Sequence, residues 1–155
     1  MAAESLTEVE VAGLVPTEAG CALFLGAQDK VIMFYIDPAT GASINAILAD
    51  SAPPRPLTHD LFMDTLEAFG AKVREVVISA KDGDVFYSQL VLTAENELME
   101  KQIMQLDSRP SDAIALAVRE DAPIFCRTSI WDKLPDVTEL LQRVKQEEDT
   151  PDLPG

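Results

Sequence analysis

Basic residues are scarce in this 155-residue chain: 12 Lys plus Arg stand against 27 Asp plus Glu, for a net charge of −15. Proteins that bind nucleic acid draw much of their affinity from cationic side chains that release counterions. The chain as a whole repels a polyanion, so nucleic acid is disfavoured as a partner unless a local cationic site or bridging metal ions offset the charge. Histidine occurs once, as His59. There is no zinc-binding spacing, no glycine-rich phosphate loop, no nucleophile elbow and no Cys–His pair at a recognisable distance. Only two cysteines occur, Cys21 and Cys126. They lie in apolar, strand-like runs without a C-x-x-C pair, and read as small buried hydrophobes in a reducing compartment. No apolar run approaches the ~20 residues that cross a bilayer. The first ten residues are acidic and lack the basic start and apolar core of a secretory signal, so a cytoplasmic location is expected. Internal repeats and low-complexity tracts are absent.

What is present is the composition of a folded domain. Hydrophobic residues make up 47% of the chain, with six Phe, two Tyr and one Trp, which argues against overall disorder. The length suits a single domain, expected over residues 1–145, followed by an acidic, proline-containing disordered tail over 146–155. Ser5 to Val15 alternates as an edge-like strand ended by Pro16. Gly20–Leu25 and Val31–Ile36 read as a hairpin whose continuous hydrophobicity suggests cover on both faces. After Asp37-Pro38, Ala39–Asp50 is helix-compatible with Ile44, Ile47 and Leu48 on one face, although Gly41 weakens it. Ser51–Pro56 is a stiff proline connector. Thr58 is a natural N-cap for a helix His59–Phe69, with Leu61, Phe62, Leu66 and Phe69 at amphipathic spacing and Gly70 as C-cap. Val73–Ala80 and Val85–Thr93 flank an Asp-Gly turn, the strongest hairpin signal present. Leu98–Leu106 makes a further strand, with Met99, Ile103 and Met104 inward. Pro123–Cys126 is a short strand, and Ile130–Val144 is helical in part, broken at Pro135, with Leu140, Leu141 and Val144 on one face. Hairpins followed by a helix, twice over, predict an α+β fold: a mostly antiparallel sheet with helices packed against it.

Leu106 to Phe125 organises the rest. A polar cluster (Asp107, Ser108, Arg109, Ser111, Asp112) leads into Ala113–Val118, which contains no polar residue. Pro110 suits the first helical position, and Ser111 and Asp112 can offer oxygens to the free N–H groups of the first turn. A helix without a solvent face is buried on most sides. Its charged mouth, with the second cluster Arg55, His59 and Asp60, is the candidate site, because helix N-termini favour anions. Phosphodiester hydrolysis needs an activated water, a cation facing the developing charge, and a proton for the leaving oxygen. Carboxylates that hold Mg²⁺ or Mn²⁺ serve the first two needs, arginine the second, and His59 the third. Each residue also has an ordinary reading: capping for Asp60 and Asp112, ion pairing for Arg55 and Arg109, a hydrogen-bonded surface position for His59.

Pro54-Arg55-Pro56-Leu57-Thr58-His59-Asp60-Leu61 and Arg109-Pro110-Ser111-Asp112-Ala113-Ile114-Ala115-Leu116-Ala117, followed by Ala122-Pro123-Ile124-Phe125, resemble the bacterial and plant bifunctional nuclease domain family. Their order and spacing match, with the Val73–Leu92 hairpin between them. The resemblance implies an α+β domain, usually oligomeric, with nuclease activity on DNA and RNA. Its signature residues enter as candidates: His59, Asp60 and Asp112 as catalytic, Arg55, Arg109 and Ser111 as substrate-binding, and Asp60, Asp107 and Asp112 as ligands of a divalent cation. One departure stands out. Where the family pattern reads Ile-Gly-x-x-Glu-Ala-x-x-Ile, this chain has Ile36-Asp37-Pro38-Ala39-Thr40-Gly41-Ala42-Ser43-Ile44. Thr40 holds the usual glutamate position and Asp37 the usual glycine.

Three functions compete. A metal-assisted nuclease requires the two clusters to meet in one cleft. A non-catalytic oligomeric module, binding a small anionic ligand or a protein partner, has its motif residues occupied by one another. In a purely structural reading the motifs serve only to pack a buried helix.

Overall fold

The computed structural model describes residues 4–149. Seven strands and five helices follow in the order β1 (Leu6–Pro16), β2 (Cys21–Ala27), β3 (Lys30–Ile36), α1 (Pro38–Leu48), α2 (Thr58–Ala68), β4 (Ala71–Asp82), β5 (Val85–Glu95), β6 (Lys101–Ser108), α3 (Pro110–Glu120), β7 (Ile124–Arg127), α4 (Thr128–Trp131) and α5 (Thr138–Asp149). The strands form one sheet in the order β3-β2-β1-β7-β4-β5-β6. Every neighbouring pair is antiparallel except β4 and β7. This is the expected α+β architecture, and α3 is its buried centre: Ala113, Ile114, Ala115 and Ala117 are fully shielded from solvent.

β1 is an interior strand, not the edge its alternation suggests. Leu6–Val9 pairs with β7, and Glu10–Pro16 pairs with β2, with a register shift between Val11 and Gly13. Each half therefore hydrogen-bonds on a different side, and exposure alternates only in the first half, from Leu6 to Glu10. β2 is covered on both faces, as its composition requires. Leu23 and Leu25 join the main core with Ile44 and Ile114, while Ala22 and Phe24 meet Leu141 of α5 on the other side. The Asp-Gly turn forms between β4 and β5, with Gly83 at φ +61°.

Five sequence expectations on facing or ends need correction. In α1 the buried face is Thr40, Gly41, Ser43 and Ile44, whereas Ile47 and Leu48 are exposed. Buried hydrogen bonds draw the polar residues inward there. In α2, Met63 and Leu66 pack on the core, while Leu61, Phe62 and Phe69 face solvent. The N-cap of that helix is Leu57 rather than Thr58, and Asp60 accepts the Leu57 N–H at 2.9 Å. Of the three residues expected inward on a strand Leu98–Leu106, only Met104 packs on the core; Ile103 is exposed, and Met99, also exposed, lies before β6 with φ +61°. Adjacent residues of a strand point to opposite faces, so Ile103 and Met104 cannot both be inside. Finally, α5 runs through Asp149, so residues 146–149 of the expected tail are helical; its remainder, 150–155, lies outside the described residues.

Gly41 has a packing reason. A Cβ at this position would run into Cys21 Sγ and come within 3.0 Å of Cys21 Cβ. The glycine thus lets α1 lie directly on the start of β2. We expect Gly41→Ala to lower stability by about 1–3 kcal/mol through overpacking, and Cys21→Ala to recover part of that loss, as read from urea unfolding midpoints.

Candidate functional site

Pro110 starts α3, and Arg109 is its N-cap without a capping side chain. Ser111 and Asp112 do not cap the helix as expected. The Asp112 carboxylate turns to other partners: Oδ2 accepts from Arg109 Nε at 2.8 Å, and Oδ1 lies 3.0 Å from His59 Nε2. Arg109 also approaches Asp37, with Nη2 to Oδ1 at 3.7 Å. Asp37 is the N-cap of α1, accepting from the Thr40 N–H at 2.9 Å and the Thr40 hydroxyl at 2.7 Å. Thr40 therefore grips the neighbouring carboxylate with both its N–H and its hydroxyl.

On its other side His59 Nδ1 lies 2.8 Å from Ser43 Oγ. Ser43 Oγ accepts from Arg119 Nη2 at 2.7 Å, and the Ser43 carbonyl accepts from the same nitrogen at 3.1 Å. Arg119 Nη1 donates to the Ala115 carbonyl and Nε to Asp60 Oδ1, at 2.8 and 2.7 Å. Donors and acceptors balance when the imidazole carries its proton on Nε2: Ser43 then donates to Nδ1, and Nε2–H donates to Asp112. A serine–histidine–aspartate line results, but Ser43 is buried and its oxygen already accepts a hydrogen bond from Arg119. Its hydroxyl is a link in the helix packing and not a nucleophile.

Three carboxylates are held below their ordinary range. For Asp60 the leading cause is the Arg119 hydrogen bond. For Asp37 it is the Thr40 backbone N–H. Burial pushes Asp112 upward, but the hydrogen bonds from Arg109 and His59 outweigh it and leave the group lowered. Arg109 is raised in turn, chiefly by its bond to Asp112. Asp37, Arg109 and Ser111 line a cavity of about 290 Å³ with Tyr35, Val85 and Phe86 among its walls. Asp60 and Arg119 face a different cavity, of about 470 Å³, with Asp64, Glu67 and Lys72. The chain of contacts runs through the helical layer from one to the other.

Of the residues singled out in the sequence, His59, Asp60, Arg109 and Asp112 are brought into this one network. Arg55 is exposed on the connector, and its side chain makes no hydrogen bond or ion pair among the described residues. Asp107 is likewise exposed on β6 and unpaired among them. Ser111 lines the smaller cavity only. Asp60, Asp107 and Asp112 do not converge, and among the described residues no three His, Cys, Asp or Glu groups are placed to hold one metal ion. As arranged, the carboxylates of Asp60 and Asp112 are filled by protein donors, so the trio does not fit a divalent cation unless an arginine is displaced. Sequence reasoning missed Ser43 and Arg119. The signal for Arg119 was its spacing: seven residues after Asp112, two turns on, it shares that face of a helix otherwise apolar there.

An α+β domain with two polar helix starts joined at a buried helix is the class these features define. Residues 23–138 match the model of the bifunctional nuclease domain; the chain belongs to that family. An uncharacterized protein of Mycobacterium tuberculosis is 30% identical over 102 residues, 66% of this chain and 57% of that protein. Bifunctional nuclease 1 of Oryza sativa subsp. japonica is 35% identical over 97 residues, 63% of this chain and 29% of its own. The chain thus spans just over half of the mycobacterial relative and under a third of the rice one.

Arg119 is 5% exposed at its side chain, so removing its charge leaves Asp60 with only the Leu57 N–H and takes a donor from Ser43. We expect Arg119→Met to cost about 3 kcal/mol, the scale for breaking one side of a buried pair, measured by chemical denaturation. The lowered carboxylates set the pH dependence. Their stabilisation is complete above the ordinary value of 3.8 and is lost as pH falls below it through the folded-state values. The double variant Asp60→Asn/Asp112→Asn should therefore start less stable at neutral pH and lose less between pH ~5 and ~2, read by thermal melts across that range.

Proposed function

We propose that this chain hydrolyses phosphodiester bonds in DNA or RNA at the mouth of α3. The observation that carries this reading is the direct contact of His59 with Asp112, 3.0 Å apart, which joins the two signature motifs beside an exposed arginine. The family membership and the rice relative's name support the reaction class. Arg109, 65% exposed, would take the phosphate together with the uncapped N–H groups of the α3 start. Asp112 would orient the attacking water and take its proton on a lone pair left over from its bonds to Arg109 and His59, and the leaving oxygen would be protonated from solvent. His59, with both ring nitrogens engaged, would act through Asp112 as a positioning residue. Asp60 would serve by holding Arg119. The carboxylates of the two motifs also suggest a divalent cation, Mg²⁺ or Mn²⁺, but their present arrangement does not provide a ready site, and no step is assigned to it.

The alternative, a non-catalytic oligomeric module for a small anionic ligand, is favoured by one observation: Asp37, Asp112 and Asp60 are each satisfied by arginine or backbone donors. In either case a homo-oligomer is expected. No helix among the described residues is long and apolar enough to cross a membrane. Two free thiols, with Cys126 pushed by burial to about 11, fit a reducing compartment, and a cytoplasmic location is part of this proposal.

Hydrolysis of single- and double-stranded DNA and RNA at low salt, with Mg²⁺, Mn²⁺ or EDTA, separates the readings. A general base contributes about 10²–10⁴-fold, so Asp112→Asn should reduce cleavage by at least ~100-fold, while Arg109→Ala raises KM. The EDTA arm reports whether metal is needed, and Thr40→Glu whether the family's glutamate adds activity. No cleavage by wild type or Thr40→Glu under any condition, with phosphate binding that disappears in Arg109→Ala, would replace the nuclease by the binding module.

A further inference from the structure

The sheet has two terminal strands, and they are treated differently. At β3 the start of the outer edge is covered by the segment before α5: Val31 N–H donates to the Asp136 carboxylate at 3.1 Å, and the Val31 carbonyl accepts the Val137 N–H at 2.7 Å. At β6, among the described residues, the strand pairs with β5 alone. Proteins guard such edges with proline, bulges, central charges or a covering segment. β6 has none of these. It is eight residues long, contains no proline, and pairs from Glu95↔Lys101 to Ser88↔Ser108 without a register shift. Gln102 to Leu106 carries no charge, and Ile103 and Leu106 are 56% and 43% exposed. Its two charges stand near the ends, as Lys101 and Asp107, and neither has an ion-pair partner among the described residues.

We propose that β6 pairs antiparallel with β6 of a second copy, about a two-fold axis at Met104, so that one sheet runs through both chains. The register is chosen by charge. Residues facing each other across antiparallel strands must point to the same side of the sheet, so only shifts by two are open. With Met104 opposite Met104 of the second copy, Lys101 stands opposite Asp107 and, by symmetry, Asp107 opposite Lys101. Ile103 then lies opposite Gln105. Moving two residues one way sets Lys101 against Gln105, and the other way against Arg109, which forfeits the pair or makes it repulsive. A closed two-fold contact of this kind uses the same patch on both chains. It carries the turn at residues 96–100 of each copy to the end of the other's β6, beside Arg109. The inference gives a surface to the homo-oligomer expected above and does not rest on the cleavage reaction, because it is read by mass alone.

Sedimentation equilibrium at ~0.15 M salt, where net repulsion between the acidic chains is screened, tests it. Wild type should sediment at twice the chain mass of 16.9 kDa. Asp107→Lys and Lys101→Asp should each weaken association about tenfold, since two cross-strand pairs turn repulsive at once. Lys101→Asp/Asp107→Lys should restore wild-type association. A monomer at every concentration, single variants that associate as wild type does, or a double variant that fails to recover would each overturn the proposal.

Discussion

The guanidinium of Arg119 is almost out of water, and a cation so placed persists only if its charge and its hydrogens are both met. Asp60 supplies the charge, and the carbonyls of Ala115 and Ser43 with the Ser43 hydroxyl take the remaining bonds. These acceptors come from α1, α2 and α3, so one side chain ties the three helices of the main layer together. The consequences run outward. Ser43 turns inward because Arg119 needs its oxygen, and that presents its proton to His59. His59 is thereby oriented so that Nε2 meets Asp112. The facing of α1, with Thr40 and Ser43 buried and Ile47 exposed, follows from the same requirement.

Much of the fold was legible because it rests on local chemistry. Pro110 and the apolar run to Val118 mark α3, Asp82-Gly83 marks the second hairpin, and the proline connector marks the break between α1 and α2. The errors fall where a neighbour decides. Alternation in β1 did not reveal that its halves pair on opposite sides, because a half-paired interior strand and an edge strand expose alternate residues alike. In α2, five apolar side chains surround much of the helix, and hydrophobicity alone does not say that Met63 rather than Leu61 faces the sheet. The site was legible as two motifs and not as one network, since Ser43 and Arg119 lie outside both and gain meaning only from contacts 76 residues apart.

That network changes how the motifs are read. Residues that look like catalytic signatures in sequence are, in space, each other's hydrogen-bond partners. His59 and Asp60 follow one another in α2, yet they do different work: Asp60 belongs to the structural cation, His59 to the carboxylate at the α3 mouth. Long, specific sequence motifs are therefore partly explained by the demands of packing three polar-edged helices. That explanation does not extend to Arg109, which is largely exposed and ties nothing buried together.

The contrast between the two arginines separates scaffold from site. Both bond a carboxylate through Nε, at 2.8 and 2.7 Å. Arg119 cannot exchange its partners, because doing so strands a desolvated charge at a cost of several kcal/mol. Arg109 can, because an ion pair in solvent is worth about 0–1 kcal/mol and water solvates it in the interval. A phosphate bound as proposed above would have that attraction to displace. The mouth as it stands, with Asp37 and Asp112 against Arg109, is short of positive charge by one, which matches a chain of net charge −15 and limits how tightly a polyanion is held without a further cation. Weak, exchangeable ion pairing at Arg109, braced from behind by the fixed pairing at Arg119, is the arrangement that would let one helix end be both part of the fold and the site proposed above.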